Sequence, residues 1–252
     1  EMSASLVGSE MCIRDSANPY SVNVGKRFWA MDNSDINRMY PGYNKGETTQ
    51  RIAAGIFEKI QGYRFGVQFS SFYMPGDFVS HVRMMKTDYE DTGLAQLFGM
   101  PFVVLRKPVP FDTTTLNFNW QVWDTKAFSL YSRSTEKIDK KGADMAIAAV
   151  CRFLSRMNVL NYNVYGGYES TVLIEEELVS LRSTASGLYI PHVKSFDSVE
   201  RGQVLADIID PLTGVTVAQT EAPEDGIVFF AKDSPLVMEN ETLFKIVNKL
   251  HK

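Results

Sequence analysis

Residues 81–106, HVRMMKTDYEDTGLAQLFGMPFVVLR, decide the fold class. The run HVRMM is short, largely apolar and bounded by polar residues, which suits a buried strand. Over residues 91–99, Leu94, Leu97 and Phe98 fall on one face at helical spacing, and Gly99-Met100-Pro101 stops the helix. FVVLR (102–106) is β-branched and apolar, the pattern of a strand covered on both faces. Strand, helix and strand in so short a stretch make a βα unit.

The alternation continues outward. TTQRIAAGIFEKIQ (48–61) places Ile52, Ile56, Phe57 and Ile60 on one face, with Thr48 or Thr49 available as the N-cap. YRFGVQF (63–69) reads as a buried strand. Downstream, residues 107–124 read as a long loop rich in Thr, Asn and aromatics, and AFSLYS (127–132) as a strand. Residues 140–157 form an amphipathic helix with Ile147, Val150, Cys151 and Leu154 on its stripe. Strands alternating with helices imply an α/β fold, a mixed or mostly parallel sheet flanked by helices.

Near Asn158 the pattern changes. The remaining chain shows only short β runs, TVLIEEEL, GLYIPHV, VLADII, TVAQTEA, GIVFFA and TLFKIV. Turn signals such as Arg201-Gly202, Asp210-Pro211-Leu212-Thr213-Gly214 and Glu224-Asp225-Gly226 separate them. Such spacing reads as a compact β sandwich or barrel. The expected organisation is an α/β unit over residues 17–160 and an all-β unit over 161–252. Residues 1–16, EMSASLVGSEMCIRDS, lack periodicity and a secretory pattern, and LVGSEMCIRDS resembles a translated sequencing-adapter peptide. They are read as a non-native leader on a chain whose own N-terminal portion is missing.

Composition narrows the function classes. The chain has 252 residues, a net charge of −4 and 44% hydrophobic residues, which is ordinary globular composition. No run of about 18 apolar residues occurs, so no membrane partner is expected, and no basic stripe points to nucleic acid. Cys12 and Cys151 are far apart in sequence and fit a reducing, cytoplasmic setting. The three histidines are His81, His192 and His251.

The densest polar constellation is Arg27 with Asp35-Ile36-Asn37-Arg38 and the following Met39-Tyr40-Pro41-Gly42. Two guanidiniums and an amide on one loop make a fork for a carboxylate, because arginine binds that group bidentately. The same residues also read as a structural pin in which Arg38 pairs with Asp35.

GKRFWAMDNSDINRMYPGYNKGETTQRIA resembles the succinylglutamate desuccinylase/aspartoacylase family, relatives of the zinc carboxypeptidases, with its D-L-N-R-x-F-P-G motif. SHVRMM is similar to that family's P-H-V-R segment. GLYIPHVKSFDSVERGQVLADIIDP and APEDGIVFF resemble its barrel-sandwich module. The resemblance implies a zinc-dependent hydrolase that cleaves the amide of N-acyl amino acids. Arg27 would stabilise the oxyanion, and Asn37 and Arg38 would hold a substrate carboxylate.

The departures from the family pattern are equally specific. The family binds zinc through an H-x-x-E motif and the histidine of a D-L-H segment. No H-x-x-E occurs here, and D-L-H aligns with Gln68-Phe69-Ser70. Tyr131 stands where the family has its general-base Glu. Hydroxyls of Ser and Tyr are poor zinc ligands, and a tyrosine is a poor base at pH 7. The chain is therefore expected to hold no zinc at that position, with His81 and Asp77 as the other places to look. Its ligand is expected to be a small carboxylate such as an N-acyl amino acid. It is either a deacylase with impaired zinc chemistry, a non-catalytic relative binding that carboxylate, or a scaffold assembled through the β unit. Other residues read as structural: Trp120, Trp123, Phe118 and Tyr131 as a core edge that could also line a pocket, Cys151 as packed, and Glu175-Glu176-Glu177 as a solvated strand edge. A lipoyl-type carrier role is disfavoured because the turn 210–214 lacks lysine.

Overall fold

The computed structural model describes residues 11–13, 16–72, 74–135, 137–161 and 166–248. In chain order the elements are α1 (Pro19–Val24), α2 (Thr48–Ile60), β1 (Phe65–Ser70), β2 (Asp77–Phe78), β3 (His81–Met85), α3 (Thr92–Gln96), β4 (Phe102–Arg106), α4 (Leu116–Val122), β5 (Lys126–Tyr131) and α5 (Lys140–Arg156). Then come β6 (Thr171–Ile174), β7 (Val179–Arg182), β8 (Gly187–Pro191), β9 (Ser198–Val199), β10 (Val204–Ile209), β11 (Thr216–Glu221), β12 (Gly226–Ala231), β13 (Leu236–Val237) and β14 (Thr242–Asn248). Three-residue 3-10 turns lie at Ile36–Arg38 and Glu175–Glu177, and a longer one at Pro110–Thr114. The expected leader falls mostly outside the described residues, as does His251.

The first sheet runs β1-β5-β3-β4-β6. It is mixed: β1 is parallel to β5, β3 antiparallel to β5, and β4 and β6 parallel to β3. Because side chains alternate along a strand, this pairing sorts the residues into two faces. Val82, Met84, Val103, Leu105, Phe128 and Leu130 share one face and form a core with Ala95 and Phe98 near α3 and Ala149 and Phe153 of α5. Phe98 and Phe153 stack with centroids 4.3 Å apart. The opposite face carries Gln68, Ser70, Ser129, Tyr131, His81 and Arg83 by register. One flank of it is covered by α2 and α4, where Ala127 packs with Phe57, Leu116 and Trp120. The other flank, with Phe102, Val104 and Leu173, packs against Phe78, Phe229 and Phe230. The polar middle stays open.

Beyond residue 171 the described chain is strands and one 3-10 turn. Sheets β11-β10-β8-β13 and β2-β12-β14-β7 face each other across a core that includes Leu205, Ile208, Val228, Phe244 and Ile246. Two strands cross the expected division near residue 160. β6 pairs with β4 in the first sheet, and β2 pairs with β12 in the second. Each covers an edge that would otherwise be open.

Three readings of the sequence are corrected. Residues 107–124 are not a loop throughout, since they hold a 3-10 turn and α4, capped by Thr115 Oγ1 on the Phe118 N–H at 3.4 Å. The helix lacks apolar periodicity because its buried residues include Asn117, Asn119 and Gln121. Each amide nitrogen finds an acceptor, Asn117 Nδ2 on Ser129 Oγ, Asn119 Nδ2 on the Tyr40, Thr113 and Thr115 carbonyls and Gln121 Nε2 on the Met85 carbonyl at 3.1 Å. Asn117 Oδ1 and Gln121 Oε1 are buried without a partner among the described residues. On α5 the contact face runs through Ala146, Ala149 and Phe153, and Ile147 is 58% exposed. Small residues at the seam let the helix approach the sheet closely and rotate Ile147 outward. Cys151 is half-buried. Finally, α2 is capped not by a threonine but at Glu47, whose N–H donates to Gln50 Oε1 at 3.1 Å, while Thr49 is turned to Asp32.

Candidate functional site

A cavity of about 910 Å³ lies over the polar middle of the first sheet. Its floor is the paired ends of β1 and β5, where Ser70 is opposite Tyr131. One wall is the loop carrying Arg27, Asp35, Asn37 and Arg38. The other wall holds Arg83, Arg106, Asp112 and Glu175, with Lys245 reaching in from β14. All five residues singled out in the sequence for the fork and the floor meet on this cavity: Arg27, Asn37, Arg38, Ser70 and Tyr131.

The loop is fixed by its own hydrogen bonds. Arg27 Nε and Nη2 both donate to Asp35 Oδ2, at 3.0 and 2.6 Å, while Asp35 Oδ1 accepts the Asn37 N–H at 2.9 Å. Asp35 therefore pairs with Arg27 and not with Arg38. Asn37 Oδ1 accepts the Leu116 N–H at 3.2 Å, which fixes the amide and leaves its NH2 without a protein acceptor among the described residues. Arg38 Nη1 donates to the Phe111 carbonyl at 3.1 Å and lies 3.4 Å from Asp112 Oδ1, with its guanidinium 4.9 Å from the Phe111 ring centroid. Its remaining N–H groups are unspent. Burial, with the Asp35 charge added, pushes the Tyr40 hydroxyl up to about 12, so it stays neutral.

The opposite wall is a chain of ion pairs that sequence reading missed. Asp112 Oδ2 accepts Arg106 Nε at 2.8 Å and the Val109 N–H at 3.2 Å. Arg106 Nη1 reaches Glu175 Oε1 at 3.3 Å, and Glu175 Oε2 is bonded to Arg83 Nη2. Arg83 Nη1 then donates to Tyr131 Oη at 3.3 Å. Glu175, expected on a solvated edge, is only 14% exposed in its side chain. The strand TVLI ends at Ile174, and the 3-10 turn that follows swings the carboxylate over the arginines. Burial alone would raise the Glu175 pKa, but the charges of Arg83, Arg106 and Lys245 outweigh it and hold the carboxylate below its ordinary range. Lys245 is half-buried and makes no hydrogen bond within the described residues. Burial is the main cause of its lowered pKa.

His81 and Asp77 do not line this cavity. His81 is fully buried, its Nδ1 at 2.8 Å from the Val79 carbonyl and its ring stacked 5.2 Å from Tyr131. The Asp77 carboxylate is taken by Arg133, at 3.2 and 3.3 Å, and by the Ser195 hydroxyl at 2.6 Å. Of the aromatic candidates, Trp120 is buried with Nε1 donating to the Ile60 carbonyl, and Trp123 packs edge-on against Phe57. Tyr131, another aromatic candidate, does line the cavity, joined by Tyr40, Phe69, Phe72 and Phe111. A signal for Arg83 and Arg106 existed. Both alternate at period two with the sheet's apolar face in HVRMM and FVVLR, and so share the face of Tyr131.

The sequence matches no protein-family model and no curated protein. Solved structures do match. A succinylglutamate desuccinylase/aspartoacylase from Rhodobacter sphaeroides superposes with a TM-score of 0.76 at 17% identity, covering 94% of this chain and 74% of that one. The fold is that of the succinylglutamate desuccinylase/aspartoacylase proteins. An aspartoacylase family protein from Mesorhizobium loti gives a TM-score of 0.71 at 19% identity over 94% of this chain and 73% of that one. The product-bound ectoine utilization protein EutE from Ruegeria pomeroyi gives 0.74 at 17% identity, over 92% and 72%. No helix among the described residues is long and apolar enough to cross a membrane.

Whether the zinc ion implied by the family resemblance fits these residues is a question of donor chemistry. No group of three His, Cys, Asp or Glu placed to hold a metal occurs among the described residues. The three carboxylates on the cavity are each engaged by guanidinium groups, Asp35 by Arg27, Asp112 by Arg106 and Glu175 by Arg83. Ser70 and Tyr131 offer neutral hydroxyls. A tetrahedral zinc site wants three or four N, S or carboxylate donors, and this set does not supply them.

Proposed function

We propose that the chain is a member of the desuccinylase/aspartoacylase family whose cavity binds a small carboxylate such as an N-acyl amino acid, with zinc-dependent amide hydrolysis impaired. The observation that carries this reading is the fork: Asn37 and Arg38 face one cavity with Ser70 and Tyr131, each with donors to spare. A carboxylate accepting from the Asn37 amide and the Arg38 guanidinium would leave the acyl end over the Ser70–Tyr131 floor. Arg27, steadied by Asp35, stands beside that path as the group suited to an oxyanion. The two free cysteines, Cys12 and Cys151, fit a cytoplasmic setting.

The test is calorimetric titration of N-acetyl and N-succinyl amino acids into the chain and its Arg38→Ala variant. Loss of charge-assisted hydrogen bonds is worth about 1.5–3 kcal/mol, so the variant should bind roughly 10- to 100-fold more weakly. Equal affinity in both proteins refutes the fork. Amide hydrolysis that needs added zinc and stops with a chelator refutes the impairment and restores the deacylase reading.

A further inference from the structure

The floor of the cavity presents hydroxyl protons that have no acceptor among the described residues. A guanidinium can only donate, so at 3.3 Å Arg83 Nη1 uses a lone pair of Tyr131 Oη and leaves the phenolic proton free. Gln68 Nε2 donates to Ser70 Oγ at 3.1 Å and to Ser129 Oγ at 3.0 Å, and Asn117 Nδ2 donates to Ser129 Oγ at 2.9 Å. The Ser70 and Ser129 hydroxyl protons have no acceptor among the described residues. Arg83 Nε is buried and makes no hydrogen bond either.

The charge balance points the same way. Arg27, Arg38, Arg83, Arg106 and Lys245 line the cavity against Asp35, Asp112 and Glu175, a surplus of cations. Lys245 stands near Glu175 and makes no hydrogen bond among the described residues. A buried donor without a partner, such as Arg83 Nε, is costly, and donors lining a cationic cavity suit an anionic oxygen.

We propose that the Ser70–Tyr131 floor, where the family resemblance would seat a cation, is instead an oxyanion site. It takes a carboxylate or phosphate oxygen through the Ser70 and Tyr131 hydroxyls, with Arg83 behind Tyr131 as its positioning residue and Lys245 supplying charge. Gln68 and Arg83 each take up one lone pair of these hydroxyls and leave the hydroxyl proton to donate. This inference stands apart from the Asn37–Arg38 fork, since it concerns different donors.

The experiment titrates inorganic phosphate, acetate and zinc separately into the full chain and into Tyr131→Phe, Ser70→Ala and Arg38→Ala, with far-UV circular dichroism confirming the fold of each. Tyr131→Phe removes one hydroxyl and keeps the ring that stacks on His81. The expected result is saturable binding of phosphate or acetate to the wild type, weakened about 10-fold or more in both floor variants, as for loss of a hydrogen bond to a charged group. Tighter phosphate than acetate identifies a phosphate ligand, and the reverse a carboxylate. Absence of saturable binding of either anion refutes the site. So does affinity that falls in Arg38→Ala and not in the floor variants, or one equivalent of zinc bound by the wild type and lost in Ser70→Ala.

Discussion

The buried imidazole of His81 makes stability depend on pH in a calculable way. Its Nδ1–H donates to the Val79 carbonyl, so the neutral ring carries its lone pair on Nε2, which is buried without a partner. Protonation would place a charge there among Tyr131, Phe72 and Phe229, whose centroids lie 5.0 to 5.6 Å away. Burial lowers the pKa from the ordinary 6.5 to about 4. The Val79 hydrogen bond opposes it, the Arg83 charge assists it, and the Glu175 charge opposes it in turn. The unfolded chain therefore takes up the proton first as pH falls. A depressed histidine leaves stability intact above about pH 6.5 and removes it as pH falls toward 4. At about 1.4 kcal/mol per pH unit, the loss between pH 7 and 4.5 is about 2–3 kcal/mol.

Urea unfolding followed by tryptophan fluorescence across pH 7 to 4.5 measures this, with His81→Phe as the control. Phenylalanine keeps the ring stacked against Tyr131 and Phe229 but cannot titrate. At neutral pH the variant should be less stable by about 1 kcal/mol, the scale of the lost hydrogen bond to Val79. By pH 4.5 the order should reverse, because only the wild type sheds the histidine contribution. Carboxylates that titrate in the same range are common to both proteins and cancel in the difference. Parallel stability curves for the two proteins refute the reasoning.

Two further outcomes follow from the packing. Glu175→Gln removes the carboxylate that bridges Arg83 and Arg106, in a site where all three side chains are less than a quarter exposed; it should cost about 2–4 kcal/mol at pH 7 in urea titration. Because the folded carboxylate titrates below its unfolded value near 4.5, that difference should shrink as pH falls below 4.5, and a gap constant with pH refutes the pairing. Gly66→Ala puts a Cβ 2.8 Å from Cε3 of Trp120, whose indole is pinned by the Ile60 carbonyl. It should cost about 1–3 kcal/mol, and a chemical denaturation midpoint equal to wild type refutes the close contact.

What could be read from the sequence divides along the range of the interactions involved. FVVLR coincides with Phe102–Arg106 and HVRMM with His81–Met85, since a β-branched or apolar run between polar residues decides its own conformation. The helix over 48–60 was legible because its buried side chains recur at helical spacing. α4 was not, because a helix whose inner face is Asn117, Asn119 and Gln121 announces itself only through partners elsewhere, such as the Tyr40 and Met85 carbonyls. The site divides in the same way. Asn37 and Arg38 sit in a contiguous motif, whereas Arg106, Glu175 and Lys245 come from three separate strands or their ends.

The decisive missing information was strand order. Period-two alternation already places Gln68 with Ser70, Ser129 with Tyr131 and His81 with Arg83 on common strand faces. It does not say that β5 lies between β1 and an antiparallel β3. Only that order sets Ser129 opposite both Gln68 and Arg83, and turns three unremarkable polar alternations into one hydrogen-bonded floor. A parallel β3, reversed about Val82, would set Arg83 opposite Tyr131 and His81 opposite Ser129, and the imidazole would no longer stack on the Tyr131 ring. The Ser70–Tyr131 floor therefore comes from the parallel β1–β5 register, and the antiparallel pairing of β3 adds Arg83 and His81 beside it.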